Sequence, residues 1–457
     1  MFFRTLLLFG GAVALGGCTT VDIRPDVGPL KDALGDRAGA SIILHDGAMS
    51  PEHSARVAQL AGAPLTMAAA VELALTGSPE LQARYAEIGI ASAEMAAATA
   101  LVNPVIEVMA RPTTNPAALA NLEFGLTQNL LNLLTRKARR AVATAAFEAQ
   151  TLAIAADVVA IANDVRRGYI ELIAAKHKLR ARREADEAAA AAAELATALH
   201  TAGNISDLEF EKEKAKSDDT AIAVLKAEAD VGNLEPEFAA LIGMGDRVLI
   251  YPDVLPSALP TEPVIDGLEK VALTRRLDLA ARRLGADRAR ADLKARADWR
   301  LWEELNIGLS AERDGDGGWA LGPSLEISLP LMARGNPEVA EAIAGVVKAE
   351  NEFRATEGKV LADVRSSVAR LAAARKVAER YAATVLPSKR SIVDLTQREY
   401  NFMLVGAFDL LDAKRDEADA VGDYVEALHD YWLARVALAE AIGGADIQMP
   451  MNAEDKS

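Results

Sequence analysis

Ala74-Leu75-Thr76, followed by Glu80-Leu81, recurs in this chain as Ala272-Leu273-Thr274, followed by Asp278-Leu279. Each copy opens the same predicted order of elements: a helix, two short alternating segments joined by a polar loop, a long alanine-rich helix, a tight turn and a returning helix. Such a repeat decides the fold, because each copy is one structural unit that buries its apolar face against another. The sequence therefore predicts two equivalent structural repeats, each of which forms part of a wall around an enclosed space.

The composition favours packed helices and disfavours a nucleic-acid partner. Hydrophobic residues make up 51% of the 457 residues but aromatic residues only 5%, so alanine supplies much of the apolar content. Small side chains suit close helix–helix packing. The formal net charge is −16, whereas binding of phosphates needs clustered lysine and arginine. An acidic chain is better matched to cationic solutes or partners, although solubility explains such a charge equally well.

The N-terminus is typical of a targeting segment. Arg4 precedes an apolar run over residues 6–15, which is too short to span a bilayer. The run ends in Leu15-Gly16-Gly17-Cys18, which resembles a bacterial lipobox, and Cys18 is the only cysteine. We therefore predict a lipoprotein signal peptide over residues 1–17 and lipid attachment at Cys18; the alternative is an ordinary signal peptide with a chance cysteine. No other run approaches the ~18 apolar residues of a membrane helix, so strands would have to form any spanning part.

Alternating segments predict two hairpins, one in each repeat. The strands are expected over residues 103–111 and 121–130 in the first repeat, and over 300–311 and 319–330 in the second. Each is about ten residues long, which is the length that crosses a bilayer when tilted. The alternative is a pair of soluble hairpins packed on helices. Three tryptophans near the hairpins predict an interfacial aromatic belt or simple barrel packing; they are Trp299, Trp302 and Trp319.

Long helices follow both hairpins. In the first repeat, apolar residues at three- and four-residue steps predict a coiled-coil helix from about Leu134 to Ala202. Ser206 and Glu209 form a capping-box pattern that starts the return helix. In the second repeat the long helix reaches about Leu404, and Pro387 inside it should kink it or interrupt its hydrogen bonds.

The predicted divisions of the chain can be stated by residue number. They are the signal peptide 1–17, an extended N-terminal segment 18–64, a first repeat 65–243 with its turn at 203–206, a proline-rich linker 244–266, a second repeat 267–444 with its turn at 404–407, and a polar tail 445–457. Both repeats close on a glycine, at Gly243 and Gly443.

Over residues 65–444 the chain resembles the TolC-like outer-membrane efflux channels (the outer membrane efflux protein family), in their lipoprotein branch. The order, spacing and duplication of several short motifs carry the resemblance. They are Leu65-Thr66 with Ala70 and Leu75, Pro79-Glu80-Leu81, residues 203–208 (Gly-Asn-Ile-Ser-Asp-Leu), Leu329-Pro330-Leu331 with Gly335, Tyr400 with residues 410–413 (Leu-Leu-Asp-Ala), and Tyr431-Trp432 with Ala434-Arg435 and Leu438.

The resemblance implies a mainly α fold with a small β part. Long duplicated coiled-coil helices would form an α-barrel tunnel in the periplasm, and four strands per chain would contribute to a twelve-stranded barrel in a homotrimer. It implies a passive duct in the outer membrane that works with a periplasmic adaptor and an inner-membrane pump, and no catalytic residue, cofactor or metal. The alternative function is a periplasmic coiled-coil structural or adaptor-type lipoprotein without a pore, which needs one helical hairpin and no paired strands.

The resemblance also implies a periplasmic gate at the second turn. Tyr400, Asp409 and Asp412 fall at the matching positions, and the two aspartates share a helix face because they are three residues apart. The alternative is a pair of solvated helix carboxylates. The family usually places a glycine three residues after the tyrosine, whereas this chain has Met403 there and its glycine at position 406.

Both turns are predicted to face the adaptor, and a plain helix–helix turn is the alternative. Val405 and Phe408 are expected to be exposed apolar contacts. The full predicted set of contact residues is Gly203, Asn204, Ile205, Ser206, Val405, Gly406 and Phe408.

Overall fold

A computed structural model describes residues 26–44, 50–112, 119–245, 247–260, 267–302, 304–328 and 336–444. These residues form two compact units. The sheet unit comprises Ala86–Thr151 and Ala281–Phe353, and the helical unit comprises Gly28–Tyr85, Leu152–Ala280 and residues 354–444.

The elements follow the same order in both repeats. In the first repeat and the segment before it they are α1 (Gly28–Leu34), α2 (Pro51–Ala61), α3 (Met67–Gly77), α4 (Pro79–Thr99), β1 (Val105–Arg111), β2 (Asn121–Asn129), α5 (Leu130–Leu134), α6 (Arg136–Thr201) and α7 (Asp207–Leu241). In the second repeat they are α8 (Leu268–Arg275), α9 (Leu277–Trp299), β3 (Leu305–Arg313), β4 (Trp319–Ile327), α10 (Asn336–Arg380), a π-helical turn (Tyr381–Val385), α11 (Leu386–Asn401) and α12 (Ala407–Ala441).

The two hairpins join into one antiparallel sheet with the strand order β1-β2-β3-β4. The central pairing joins the repeats, with Phe124 opposite Ala311 and Leu126 opposite Leu309. The mainly α fold with a small four-stranded sheet is therefore confirmed.

The third strand begins later than predicted. Its expected start near residue 300 is wrong, because α9 continues to Trp299 and β3 begins at Leu305. Ion pairs between helical neighbours support this last part of α9, since Arg296 lies 2.9 Å from Asp292 and Lys294 lies 2.7 Å from Asp298. The first strand begins at Val105, directly after a proline that has no N–H to donate to a ladder.

The sequence predicted an extended N-terminal segment. This prediction was wrong for part of it, because the segment contains the helices α1 and α2. Leu30 and Leu34 of α1 are buried in the helical unit. The buried Arg166 of α6 donates a hydrogen bond to the carbonyl of Ala38 at 2.9 Å and to Asn163 Oδ1 at 2.6 Å. Because a buried guanidinium needs such partners, Arg166 fixes this segment against α6.

The middle of α6 is buried over a broader face than a coiled-coil seam. Ala155, Ala162 and Tyr169, which belong to the apolar pattern that predicted the seam, are buried, and Ile154 and Ile170 beside them are buried as well. By length and composition α6 is also the one described helix that meets the requirement for a membrane span, with a mean hydropathy of 1.5 over 18 residues. The sequence expectation of no such run was wrong, but a single helix of this kind is weak evidence, since core helices meet the same test.

The two closing glycines contact equivalent places in their repeats. Gly243 has φ +74°, and a Cβ there would lie 2.6 Å from the carbonyl oxygen of Gly77, at the end of α3. Gly443 has φ +91°, and its Cβ would lie 2.8 Å from the backbone of Arg275, at the end of α8. Only glycine tolerates both the positive φ and the close approach. Each repeat therefore ends against its own opening helix.

The helical interruption near Pro387 takes the form of a π-turn. The chain stays helical through Tyr381–Val385 and continues directly into α11. A proline lacks an N–H and crowds the preceding turn, and a π-turn absorbs both effects without breaking the helix.

Two helical turns as the candidate gate

The first turn joins α6 to α7 and is polar. The N–H of Gly203 donates to the carbonyl of His200 at 2.9 Å, and that of Asn204 donates to the carbonyl of Leu199 at 2.8 Å. Gly203 has φ +73°. This is the glycine-terminated end that closes many helices. Ser206 then caps α7 by the predicted capping box with Glu209.

The second turn joins α11 to α12 and repeats the same hydrogen bonds. The N–H of Met403 donates to the carbonyl of Tyr400 at 2.9 Å, and that of Leu404 donates to the carbonyl of Glu399 at 2.9 Å. Met403 has φ +59°. It therefore occupies the left-handed conformation that Gly203 has in the first turn. The expected turn at 404–407 is corrected to residues 402–406, between the two helices.

The residues exposed at the second turn differ from those expected. Phe402, Met403 and Leu404 are 77%, 93% and 73% exposed. Val405 and Phe408, which were expected to be exposed, are half-buried. The reason is that the turn begins two residues earlier, so the three residues after α11 form its outermost part.

Asp409 serves the end of its own helix. Its Oδ2 accepts a hydrogen bond from the N–H of Gly406 at 2.9 Å. This interaction satisfies a backbone donor before the first turn of α12, where a carboxylate also interacts favourably with the helix dipole. Asp409 is nevertheless exposed.

Asp412 connects the two return helices. Both of its carboxylate oxygens lie 3.0 Å from Nζ of Lys216 on α7. Its Oδ1 also lies 2.9 Å from Arg415 on α12, and Lys216 is further bonded to Glu213 at 2.8 Å. Burial lowers the pKa of Lys216, but the bonds to Glu213 and Asp412 outweigh it and raise that pKa overall.

Tyr400 lies one residue before the end of α11, with its side chain 41% exposed. In the part of the chain that the structure describes, its hydroxyl makes no hydrogen bond to either aspartate. The structure thus brings Asp412 together with a cation and leaves Tyr400 and Asp409 at the exposed end. Cys18 lies outside the described residues.

The sequence reasoning missed two features of this region. Lys216 was not predicted as the partner of Asp412, because it belongs to the other repeat and no local spacing relates the two. The run Phe402-Met403-Leu404 carried a usable signal, since three large apolar residues stand between two polar helices.

The sheet has one apolar and one polar face. Large exposed apolar side chains share one face, where Phe124 also stacks on Trp319 with ring centroids 6.1 Å apart. They are Ile106, Val108, Phe124, Leu126, Ile307, Leu309, Trp319, Leu321, Leu325 and Ile327. The opposite face carries four glutamates, Glu107, Glu123, Glu312 and Glu326. The two faces are thus suited to different surroundings, one apolar and the other aqueous.

The sequence profile of the family described as "Outer membrane efflux protein" matches residues 70–244 and 268–444. The chain belongs to this family. The two matched ranges coincide with the two repeats, so the family unit spans both. The protein is therefore an outer-membrane efflux channel component of a tripartite system, and this family is one of channels rather than of enzymes.

Similar proteins agree with this assignment. The cobalt-zinc-cadmium resistance protein CzcC of Cupriavidus metallidurans is 22% identical over 388 residues, which cover 84% of this chain and 91% of that protein. The structure of a membrane protein from Pseudomonas aeruginosa has a TM-score of 0.69 at 17% identity and covers 89% of this chain and 92% of that one. The outer membrane channel CmeC of Campylobacter jejuni has a TM-score of 0.67 at 14% identity, with coverage of 89% and 91%.

Proposed function

We propose that three copies of this chain assemble into one passive duct through the outer membrane. The observation that carries this proposal is the single sheet with one apolar and one polar face. Four strands are too few to close a barrel, but three copies supply twelve, which lies within the range of known barrels. The apolar face would then meet lipid and the polar face would line water.

Purified protein should run as a trimer in detergent and give conductance steps in planar bilayers. A protein that stays monomeric and soluble after removal of Cys18, and that gives no conductance, would contradict the proposal. That outcome would instead favour the periplasmic adaptor-type lipoprotein, which needs no strand pairs.

Cys18 would carry the lipid that holds the N-terminus at the membrane, while the helices extend into the periplasm. An adaptor and an inner-membrane pump would supply the energy, so the duct itself needs no cofactor and catalyses no reaction. Replacement of Cys18 by alanine should abolish labelling by a palmitate analogue in cells. Retained labelling would exclude Cys18 as the attachment site.

The second turn would close the periplasmic entrance. Under threefold symmetry, Asp409 and Asp412 would each form a ring of three carboxylates, with Tyr400 beside them. Rings of this kind favour cations in a pore. The pairing of Asp412 with Lys216 supports a role in closure, because it ties the second turn to the helix that leaves the first one.

The gate is tested by Asp409→Asn combined with Asp412→Asn. Asparagine keeps an oxygen that can accept the bond from the N–H of Gly406, so α12 should still begin normally while both charges are lost. Resting conductance should rise, or the preference for cations over anions should fall. If neither changes, these residues are not the gate.

The two turns would also face the adaptor. The apolar run at 402–404 joins the predicted contact residues, because exposed aromatic and methionine side chains are enriched in protein interfaces. Phe402→Ser with Leu404→Ser should weaken binding of the adaptor in a pull-down with purified components. Unchanged binding would restrict adaptor contact to the first turn.

The cargo would be cationic. The described polar face of the sheet supports this, because its four glutamates outnumber Arg111, which pairs with Glu123 at 3.1 Å. The similarity to a protein named for cobalt, zinc and cadmium resistance also supports it. Negative charges along a water-filled wall raise the local concentration of cations. Reversal potentials in a KCl gradient should therefore indicate preference for K⁺, and replacement of all four glutamates by glutamine should reduce it.

A further inference from the structure

A cluster of positive charge lies where the sheet ends and the first long helix begins. Arg136, Lys137, Arg139 and Arg140 fall within five residues, and residues 124–147 contain no aspartate or glutamate. The whole chain, in contrast, has 66 acidic and 50 basic residues. The cluster is therefore a local reversal of the charge of the protein.

Hydrogen bonds fix this cluster beside the sheet. Arg139 donates to the carbonyls of Ala98 and Asn132, both at 3.0 Å, so the start of α6 is held against the end of α4. Gln128, near the end of β2, donates to the carbonyl of Val102 at 2.9 Å. The start of α6, which carries the basic residues, is thus held beside the sheet.

Three of the four basic side chains do not serve the fold electrostatically. Arg136, Lys137 and Arg140 are exposed, and among the described residues they have no carboxylate partner; Arg136 only donates to the carbonyl of Thr99 at 3.3 Å. The first turn of α6 has no acidic residue. Cations at a helix N-terminus are unfavourable to the helix dipole, so these residues cost stability unless an anion lies near them.

Exposed apolar residues adjoin the cations. Leu133 and Leu134 of α5 are 53% and 50% exposed, directly before the cluster. Leu101 and Val102, which lead into β1, are exposed as well. Apolar side chains next to exposed lysine and arginine are typical of the boundary between lipid and water.

We infer that Arg136, Lys137 and Arg140 bind the headgroups of anionic phospholipids in the periplasmic leaflet, and that Leu133 and Leu134 contact the acyl chains of the same lipids. We call these five residues the basic collar. The inference rests on the proposed function, since it requires the sheet to cross the membrane. Charge complementarity and continuity with the apolar face of the sheet select a lipid rather than a protein partner.

In the described residues of the second repeat there is no equivalent of the collar. Its long helix α10 begins at Asn336 and carries Glu338 in its first turn, and Glu341 follows. This lipid site therefore belongs to the first repeat, and a trimer would have three such sites.

The test is native mass spectrometry of the full-length protein, purified in detergent with equal amounts of phosphatidylglycerol and phosphatidylcholine. The wild type should retain phosphatidylglycerol preferentially. The variant Arg136→Gln, Lys137→Gln, Arg140→Gln should lose this preference by about a hundredfold at low salt, if each cation near the lipid surface contributes as usual. Equal preference in both proteins would overturn the inference.

A matched control removes the same charges elsewhere. Arg354→Gln, Lys359→Gln and Arg380→Gln also replaces two arginines and one lysine, all exposed on α10 and at least 18 residues from its start. This control should keep the preference of the wild type. If it loses the preference equally, net charge rather than the collar is responsible, and the inference is wrong.

Two further variants separate the remaining outcomes. Leu133→Ser with Leu134→Ser keeps the cations, and its expected loss of phosphatidylglycerol identifies the lipid, rather than free phosphate, as the ligand; full retention would contradict lipid binding. The variant Arg136→Lys with Arg140→Lys keeps both charges and should keep the preference. It shows whether replacement of these side chains by itself disturbs folding. All variants should still conduct in bilayers. If the wild type itself gives no conductance, the proposed function is contradicted. If the wild type conducts but shows no preference for phosphatidylglycerol, only the inference about the collar is contradicted.

Discussion

The two helical turns have the same backbone hydrogen bonds but expose different side chains. Both end their first helix with the same pair of hydrogen bonds and a residue of positive φ, Gly203 or Met403. The first turn continues with Asn204 and Ser206, whereas the second exposes Phe402 and Leu404. The hydrogen bonds thus decide the turn, and the side chains are free to differ. In the second turn, a non-glycine residue adopts the strained left-handed conformation, and large apolar side chains are exposed to solvent.

The largest expected effect concerns the helices that lead into the turns. Deletion of Ala383 with Pro387→Ala should convert the π-turn into regular helix, and the trimer should still form, because a π-turn contains one extra residue. Deletion of Ala181, a buried residue of α6 that corresponds to Tyr381 at the start of the π-turn, should prevent folding, because it rotates all later residues by about 100° around the helix. Trimer yield in detergent measures both. Equal yields would remove this difference between the repeats.

The second expected effect concerns pH. Burial, with a contribution from Arg180, lowers the pKa of His177 to about 4, whereas the matching position in the second repeat is the exposed Val377. The unfolded chain has a higher pKa near 6.5, so it binds the proton first as pH falls. The contribution of neutral His177 to the free energy of unfolding is fully present above pH 6.5. It should decrease by about 3 kcal/mol as the pH falls to 4. Thermal unfolding of the wild type and of His177→Leu over this range measures it, and the variant should lose most of the slope.

The third expected effect concerns the pair that joins the turns. Lys216→Met should raise resting conductance about tenfold, because three lost ion pairs per trimer weaken closure by at least 1.4 kcal/mol in all. Lys212→Met is the matched control, since Lys212 is exposed and occupies the position of the first repeat that corresponds to Asp412. Single-channel recordings decide between them. A similar rise in both variants would mean that the charge of α7 matters and the pairing does not.

The smallest expected effect concerns the residues of positive φ. Met403→Gly should stabilise the protein by about 1 kcal/mol, and Gly203→Met should destabilise it by a similar amount, because only glycine adopts this conformation without strain. A Cβ at Gly203 would meet no atom within 4 Å, so strain alone is tested there. Thermal unfolding of both variants measures the difference. A destabilised Met403→Gly would mean that the methionine side chain makes a compensating contact.

The sequence predicted the elements better than their surroundings. The duplication, the hairpins and the capping box at Ser206 follow from local patterns, which carry periodicity and hydrogen-bonding chemistry. The start of β3 was misplaced, because alternation over a few residues does not distinguish a strand from the end of a helix. Local patterns also cannot show that Lys216 meets Asp412, since these residues are 196 positions apart. The same holds for the burial of His177, which depends on elements distant in sequence.

The order of the strands has a consequence for how the protein matures. In a single chain β1 and β4 are edge strands, each paired on one side in the described sheet. Unpaired N–H and C=O groups cannot be placed in hydrocarbon without a large cost, so a lone sheet has no stable place in the membrane. It also offers two templates for wrong pairing with other strands. Insertion and assembly are therefore expected to be a single event, and until it occurs both edges must be shielded on the way through the periplasm.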